Sequence, residues 1–233
     1  MMLPKDEELK QIESLDIAGF MEPATEVGGD YYDVLQHEGK VKIGIGDVTG
    51  HGLESGMVMI MIQAAVRTLL ANNETNPIKF LNSLNSVIYG NNRRMKSPKN
   101  MTLALLDYEA GVLSLSGQHE EIIVVRNNGQ IEKVDTLDLG FPLGIELDIR
   151  PFVSEVEIKL QLGDLAVLYT DGITEAVNMQ NQQYGLEPIY ETLKQNYQKT
   201  ANEIRACIID DLMQHIGEQK IYDDITLLIL KQK

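Results

Sequence analysis

The heptapeptide Gly46-Asp47-Val48-Thr49-Gly50-His51-Gly52 constrains this chain more than any other stretch. It stands where the extended apolar run Val41-Lys42-Ile43-Gly44-Ile45 gives way to a long apolar stretch, Leu53 to Leu70. Three glycines at a strand end let a carboxylate point inward with its neighbours' backbone carbonyls exposed, because glycine admits positive φ and close approach. Such a turn can hold a cation. It equally suits a plain β-to-α connection in which Asp47 or Thr49 caps the helix that follows, so the rest of the chain has to separate the two readings.

Just upstream, Val27-Gly28-Gly29-Asp30-Tyr31-Tyr32-Asp33-Val34-Leu35 reads as a Gly-Gly turn feeding a strand, and Gly39-Lys40 as the turn back. Antiparallel pairing sets the start of one strand opposite the end of the next, so this hairpin brings Asp30 near Asp47. Downstream, Leu53 to Asn72 reads as a helix that is apolar nearly all round and therefore sandwiched or part of an interface. Gln63 and Arg67 interrupt its apolar part, which falls short of the roughly 20 residues that cross a bilayer, and no membrane insertion is expected. A second helix follows Asn76-Pro77 and stops near Gly90-Asn91-Asn92, and Arg93, Arg94 and Lys96 form a basic cluster, either solvated or a partner contact.

From Met101 to Val134 closely spaced strands at Thr102 to Tyr108, Val112 to Ser116, Ile122 to Arg126 and Gln130 to Val134 predict an antiparallel meander. Two more strands, Phe152 to Leu160 and Asp164 to Thr170, follow the loop Gly140 to Gly144. The second runs into Thr170-Asp171-Gly172. Helices at Leu186 to Asn196 and Ala201 to Ile216 precede a last strand that begins at Asp223-Asp224-Ile225.

With 233 residues, 43% of them hydrophobic, and no Pro/Gly/Ser-rich linker, residues 1–233 are expected to form a single domain. The net charge of −15 argues against nucleic acid, whose counterions Lys and Arg would have to displace. A single cysteine, Cys207, excludes an intramolecular disulfide and fits a reducing, cytoplasmic compartment. Acids near the N-terminus replace the basic start of a secretory signal.

Four separate strand ends each present an acid: Asp30, Asp47, Asp171 and the pair Asp223-Asp224. If they converge within about 4 to 5 Å, each pair repels by roughly 3 to 4 kcal/mol at an effective dielectric near 20, so cations must compensate. An all-oxygen set suits Mg²⁺ or Mn²⁺ rather than zinc. Two such ions activate a water for in-line hydrolysis of a phosphate ester.

The strings V-G-G-D-Y-Y-D at 27–33, G-D-V-T-G-H-G at 46–52, Y-T-D-G-I-T-E-A at 169–176 and D-D-I-T-L-L-I-L at 223–230 resemble the metal-dependent PP2C-type (PPM) protein phosphatases, in particular the bacterial SpoIIE/RsbU-like branch. The resemblance covers essentially the whole chain. It implies an α+β, PP2C-like layered fold, with a central antiparallel β-sandwich flanked by helices on both sides, and Ser/Thr phosphatase activity with two or more Mn²⁺ or Mg²⁺. It further implies that Asp47 bridges two ions, that Val48 adds its carbonyl, that Asp171 and Asp223 bind the other ion, and that Asp30 holds a water or a further metal. Asp224 stands where relatives have a polar neighbour of the ligand, which ranks it below Asp223. The substrate implied is a phosphorylated regulatory protein, a STAS-type anti-sigma-factor antagonist in a partner-switching pathway. In that branch a sensor or receiver module usually precedes the domain, so the chain is expected to be either a free-standing phosphatase or the catalytic part of a larger sensor, with residues 1–14 in the second case the end of the linker.

The chain departs from the family pattern in places. His51 lies four residues after Asp47 rather than two, which removes the usual argument for a proton donor. Ser116-Gly117-Gln118-His119-Glu120-Glu121 replaces an A-G-H-x-P string, so His119 is expected to be structural. No Arg or Lys adjoins Asp30 or Asp47 in sequence, which leaves phosphate binding mostly to the metals. Two other functions compete: a catalytically silent partner-binding module of the same fold, and a two-metal nucleotidyl cyclase, because Gly28-Gly29-Asp30 resembles the G-G-D-E-F turn of diguanylate cyclases. Tyr31 and Tyr32 stand where that turn needs Glu and Phe.

Overall fold

The elements follow the apolar runs. In the computed structural model, which describes residues 3–95 and 98–233, the chain begins with α1 (Asp6–Leu9), β1 (Leu15–Glu22), β2 (Tyr31–His37), β3 (Lys40–Val48), α2 (Leu53–Ala71), α3 (Pro77–Met95) and β4 (Met101–Glu109). It continues with β5 (Val112–Ser116), β6 (Ile122–Val125), β7 (Ile131–Val134), β8 (Glu155–Lys159), β9 (Leu165–Tyr169), α4 (Asp171–Thr174), α5 (Glu187–Asn196), α6 (Ala201–Ile216) and β10 (Ile225–Gln232). A 3-10 turn at Arg150–Phe152 precedes β8, which shortens the strand expected from Phe152. The result is an α+β fold with two five-stranded sheets, each in its own compact unit.

The first unit comprises Thr25–His119 and Asp135–Ile158. Its sheet runs β2-β3-β4-β5-β8, and the expected β2–β3 hairpin pairs Tyr31 with Gly46 and His37 with Lys40. Val58, Met59, Ile62 and Val66 of α2 join Phe80, Leu81, Leu84 and Ile88 of α3 in one core with Tyr31, Val48 and Met101. The other face of α2 is not buried: Leu53, Met57 and Ile60 are 69%, 46% and 47% exposed. Of the two readings of this near-uniformly apolar helix, sandwiched or part of an interface, the first does not hold, because one side is buried and the other open. Helix α3 passes through Gly90-Asn91-Asn92 to Met95, and its asparagines explain why. Asn91 returns its amide to the Val87 carbonyl (2.8 Å). Asn85 accepts from the Gly144 backbone and donates to the Glu146 carbonyl (both 2.8 Å), and Asn82 accepts from Ile149 N–H (3.2 Å). Arg93 and Arg94 are exposed at its end; Lys96 lies outside the described residues.

The second unit comprises the chain up to Ala24, Glu120–Val134 and Lys159–Lys233. Its sheet runs β1-β10-β9-β6-β7, with Ile204, Ile208 and Leu212 of α6 and Ile189 and Leu193 of α5 in the core beside Val167, Leu227 and Ile229. A reciprocal cap starts α6, where Thr200 and Glu203 satisfy each other's backbone N–H. The expected single meander is thus two hairpins in two sheets: β4–β5 belongs to the first, and β6–β7 pairs with β9 in the second. The break falls at Gly117, whose φ of +89° turns the chain and whose missing side chain leaves room for the Leu103 carbonyl, 2.2 Å from where a Cβ would stand.

Candidate functional site

In the first unit the β2–β3 register sets Asp30 and Asp47 at the same end of one hairpin. Gly29 then brings the two acid-bearing turns into contact. A Cβ on it would lie 2.9 Å from the Val48 carbonyl oxygen and 3.2 Å from that of Gly50, so only glycine lets one turn rest on the other. Gly56 does the same for the start of α2, since a Cβ there would meet Val27 Cγ1 at 2.2 Å. Asp30 is 1% exposed, Asp47 is half-buried and Val48 is buried. The capping alternative is not the one realised: the N-cap of α2 is Gly52, with no side-chain cap. Thr49 instead ties itself to Asn100, accepting from its N–H on Oγ1 (3.1 Å) and donating to its carbonyl from the backbone (2.9 Å).

The second unit repeats the device. Tyr169 ends β9 and Asp171 opens α4. A Cβ on Gly172 would lie 2.0 Å from the Asp224 carbonyl oxygen, which presses the Asp171 turn against the Asp223-Asp224 pair. The two neighbours differ in role. Asp224 is 2% exposed and its Oδ1 accepts from the Ala24 N–H at 2.7 Å, so it fastens backbone. Asp223 is half-buried and accepts from the Asp224 N–H at 2.9 Å. Burial pushes the Asp171 carboxyl above the usual carboxylate range, and the charges of Asp223 and Glu175 push it further. Glu120 is raised in the same way, by burial and then by Asp171, Glu121 and Glu175. A cation bound beside such a carboxyl would oppose the shift that its neighbours' charges cause. Among the described residues, no group of three or more His, Cys, Asp or Glu is placed to hold a metal ion. The expected residues fall into two sets, Asp30, Asp47 and Val48 in the first unit and Asp171, Asp223 and Asp224 in the second.

His119 is held by hydrogen bonds to its neighbours. Its Nδ1 meets Thr102 Oγ1 at 2.9 Å and its backbone bonds in both directions with Thr136. His51 is exposed on the turn. Two kinds of residue escaped the sequence. Glu120 was visible only as a change in the A-G-H-x-P string. Lys99 brings its ammonium to Thr49, with Nζ donating to the Thr49 carbonyl at 2.8 Å. A cation therefore does stand beside the Asp47 turn, 50 residues away in sequence, and the pairing of Val48 with Met101 is the signal that could have found it.

Residues 37–233 match the model of the family described as Stage II sporulation protein E (SpoIIE). The phosphoserine phosphatase RsbU of Bacillus subtilis (strain 168) is 24% identical over 227 residues, covering 96% of this chain and 65% of RsbU. The chain spans less than two thirds of the length of the curated relatives it matches. Among solved structures, the SiaA-PP2C domain of Pseudomonas aeruginosa superposes with a TM-score of 0.80 at 19% identity, over 94% of this chain and 86% of that one. RsbX, solved in complex with magnesium, gives 0.67 at 12% identity, over 95% and 96%. These likenesses show the PP2C fold. With the family's model matched from the end of β2 to the last strand, the chain belongs to the SpoIIE family.

Proposed function

We propose that this chain is a Mn²⁺- or Mg²⁺-dependent phosphatase that hydrolyses a phosphoserine or phosphothreonine on a small regulatory protein of the STAS antagonist type, in the cytoplasm. The observation that carries the reading is the pairing of acid-bearing turns by Gly29 and Gly172, neither of which can take a side chain without parting them. The donors fit a hard divalent ion: carboxylates and a backbone carbonyl, with Asp171 and Glu120 raised by burial first and then by their neighbours' charge. Asp47, the Val48 carbonyl, Asp171 and Asp223 are the residues proposed to hold the ions, with Asp30 beside them. When bound, the ions supply a nucleophilic water near neutral pH and charge stabilisation for in-line displacement. Asp224 ties the Ala24 backbone N–H to its own carboxylate. RsbU, a phosphoserine phosphatase by name, supports the substrate class, and the magnesium complex of RsbX supports the cofactor class.

Hydrolysis of p-nitrophenyl phosphate with and without Mn²⁺ tests the proposal. Asp47→Ala and Asp171→Ala are each expected to lower turnover by at least about 100-fold, the scale of removing one preorganised charge-stabilising group. Turnover that persists in chelator, or in both variants, overturns it.

A further inference from the structure

The ammonium of Lys99 is fixed, not free to wander. Nζ donates to the Thr49 carbonyl at 2.8 Å and to Ser55 Oγ at 3.1 Å. Its backbone is held as well, because Asn92 of α3 donates to the Lys99 carbonyl and to that of Gly144 (3.2 Å). Both acceptors of Nζ are neutral, and among the described residues no carboxylate pairs with Lys99. An ammonium has three donors, so one N–H is left over and no ion pair takes the charge.

The helix dipole does not favour the placement. Ser55 lies in the first turn of α2, a 19-residue helix, and positive charge is disfavoured at that end of a helix dipole. A chain of net charge −15 repels a phosphate dianion over most of its surface, so a fixed, uncompensated cation matters most where such a ligand must approach. This one is held by the carbonyl of Thr49, two residues after Asp47 in the same turn.

We propose that Lys99 is a substrate-binding residue, receiving one oxygen of the phosphomonoester on the N–H that Thr49 and Ser55 leave unused. The proposal rests on the phosphatase reading above and deepens it. It restores to the site the positive charge whose absence beside Asp30 and Asp47 in sequence had left the phosphate to the metals.

Calorimetric titration of the full chain with inorganic phosphate, without added metal, tests Lys99 apart from turnover. Lys99→Met is expected to weaken binding about tenfold, the scale of one charge-assisted hydrogen bond. Lys99→Gln, which keeps an N–H for Thr49 and loses only the charge, is expected to match it. Lys99→Arg and Ser55→Ala keep the charge and are expected to stay within about threefold of wild type. With Mn²⁺ and p-nitrophenyl phosphate, Lys99→Met raises KM by a similar factor and changes kcat less. The proposal fails if wild type does not bind phosphate, if both charge-removing variants bind it as wild type does, or if Ser55→Ala loses as much as Lys99→Met, which would make the lysine a latch for the turn. Phosphate binding that depends on Lys99 in a protein without turnover would sink the phosphatase reading and leave this site standing.

Discussion

Tyr31 is 2% exposed, and its hydroxyl has no hydrogen-bond partner among the described residues. The ring explains its presence: it lies across Gly44, where a Cβ would come within 2.8 Å of Tyr31 Cε1. A buried hydroxyl without a partner costs about 1 to 3 kcal/mol, so Tyr31→Phe is expected to raise the unfolding free energy by about 1 kcal/mol in urea titration. Two residues on, Asp33 shows the opposite arrangement. Arg67 grips its carboxylate with Nε at 3.1 Å and Nη2 at 3.0 Å, yet burial outweighs that attraction and raises the carboxyl above its usual range. A raised acid contributes its stability fully below the ordinary carboxylate range and loses it as pH climbs through the folded value. Arg67→Ala leaves the carboxylate buried alone. It should cost about 2 kcal/mol at pH 7, less than a fully buried pair because the guanidinium is half exposed, and the loss should shrink at pH 4 as the carboxyl takes a proton. Equal losses at both pH values would show that Arg67 acts through its stem alone.

Helix α3 makes the element scale testable. Gly90 sits inside it with nothing within 4 Å of where a Cβ would stand. Gly90→Ala is therefore expected to stabilise by about 0.5 to 1 kcal/mol, read from the thermal midpoint. Gly-Asn-Asn marks a helix end in sequence because its signals are local, whereas the bonds from Asn85 and Asn92 to residues 99 and 144–147 are not. The β2–β3 hairpin and the apposition of Asp30 and Asp47 were readable because a short turn makes consecutive strands neighbours and fixes their register. The sheet that each half of the meander joins was not, since four short strands with good turns carry no signal of which edge they meet. Gly29 and Gly172 were readable as turn glycines, but contact rather than a positive φ is what requires them. Gly172→Ala sets a Cβ against a backbone carbonyl that cannot rotate away. It should cost at least about 2 kcal/mol and abolish p-nitrophenyl phosphate turnover, whereas a fully active, equally stable variant would show that the turns need not touch.

At the scale of the molecule, chain order alone offered the acids Asp47, Asp171 and Asp223, because each ends or begins an apolar strand, but it could not show that Glu120 and Glu175 add to the charge at Asp171. That crowding has a consequence for stability. The carboxyl of Asp171 is raised by burial first, then by Asp223 and Glu175, so its contribution is fully present below the usual carboxylate range and is lost as pH rises through the folded value. Without metal at pH 7 the ionised group therefore opposes folding, and Asp171→Asn should unfold at higher urea than wild type in chelator. Adding Mn²⁺ at about 100 times its dissociation constant stabilises a one-site protein by about 2.7 kcal/mol, and Asp171→Asn should forfeit most of that gain. The two curves should cross, the variant more stable in chelator and the wild type more stable in Mn²⁺. Parallel responses of the two proteins to Mn²⁺ would mean that Asp171 binds no ion and that its crowding serves something else.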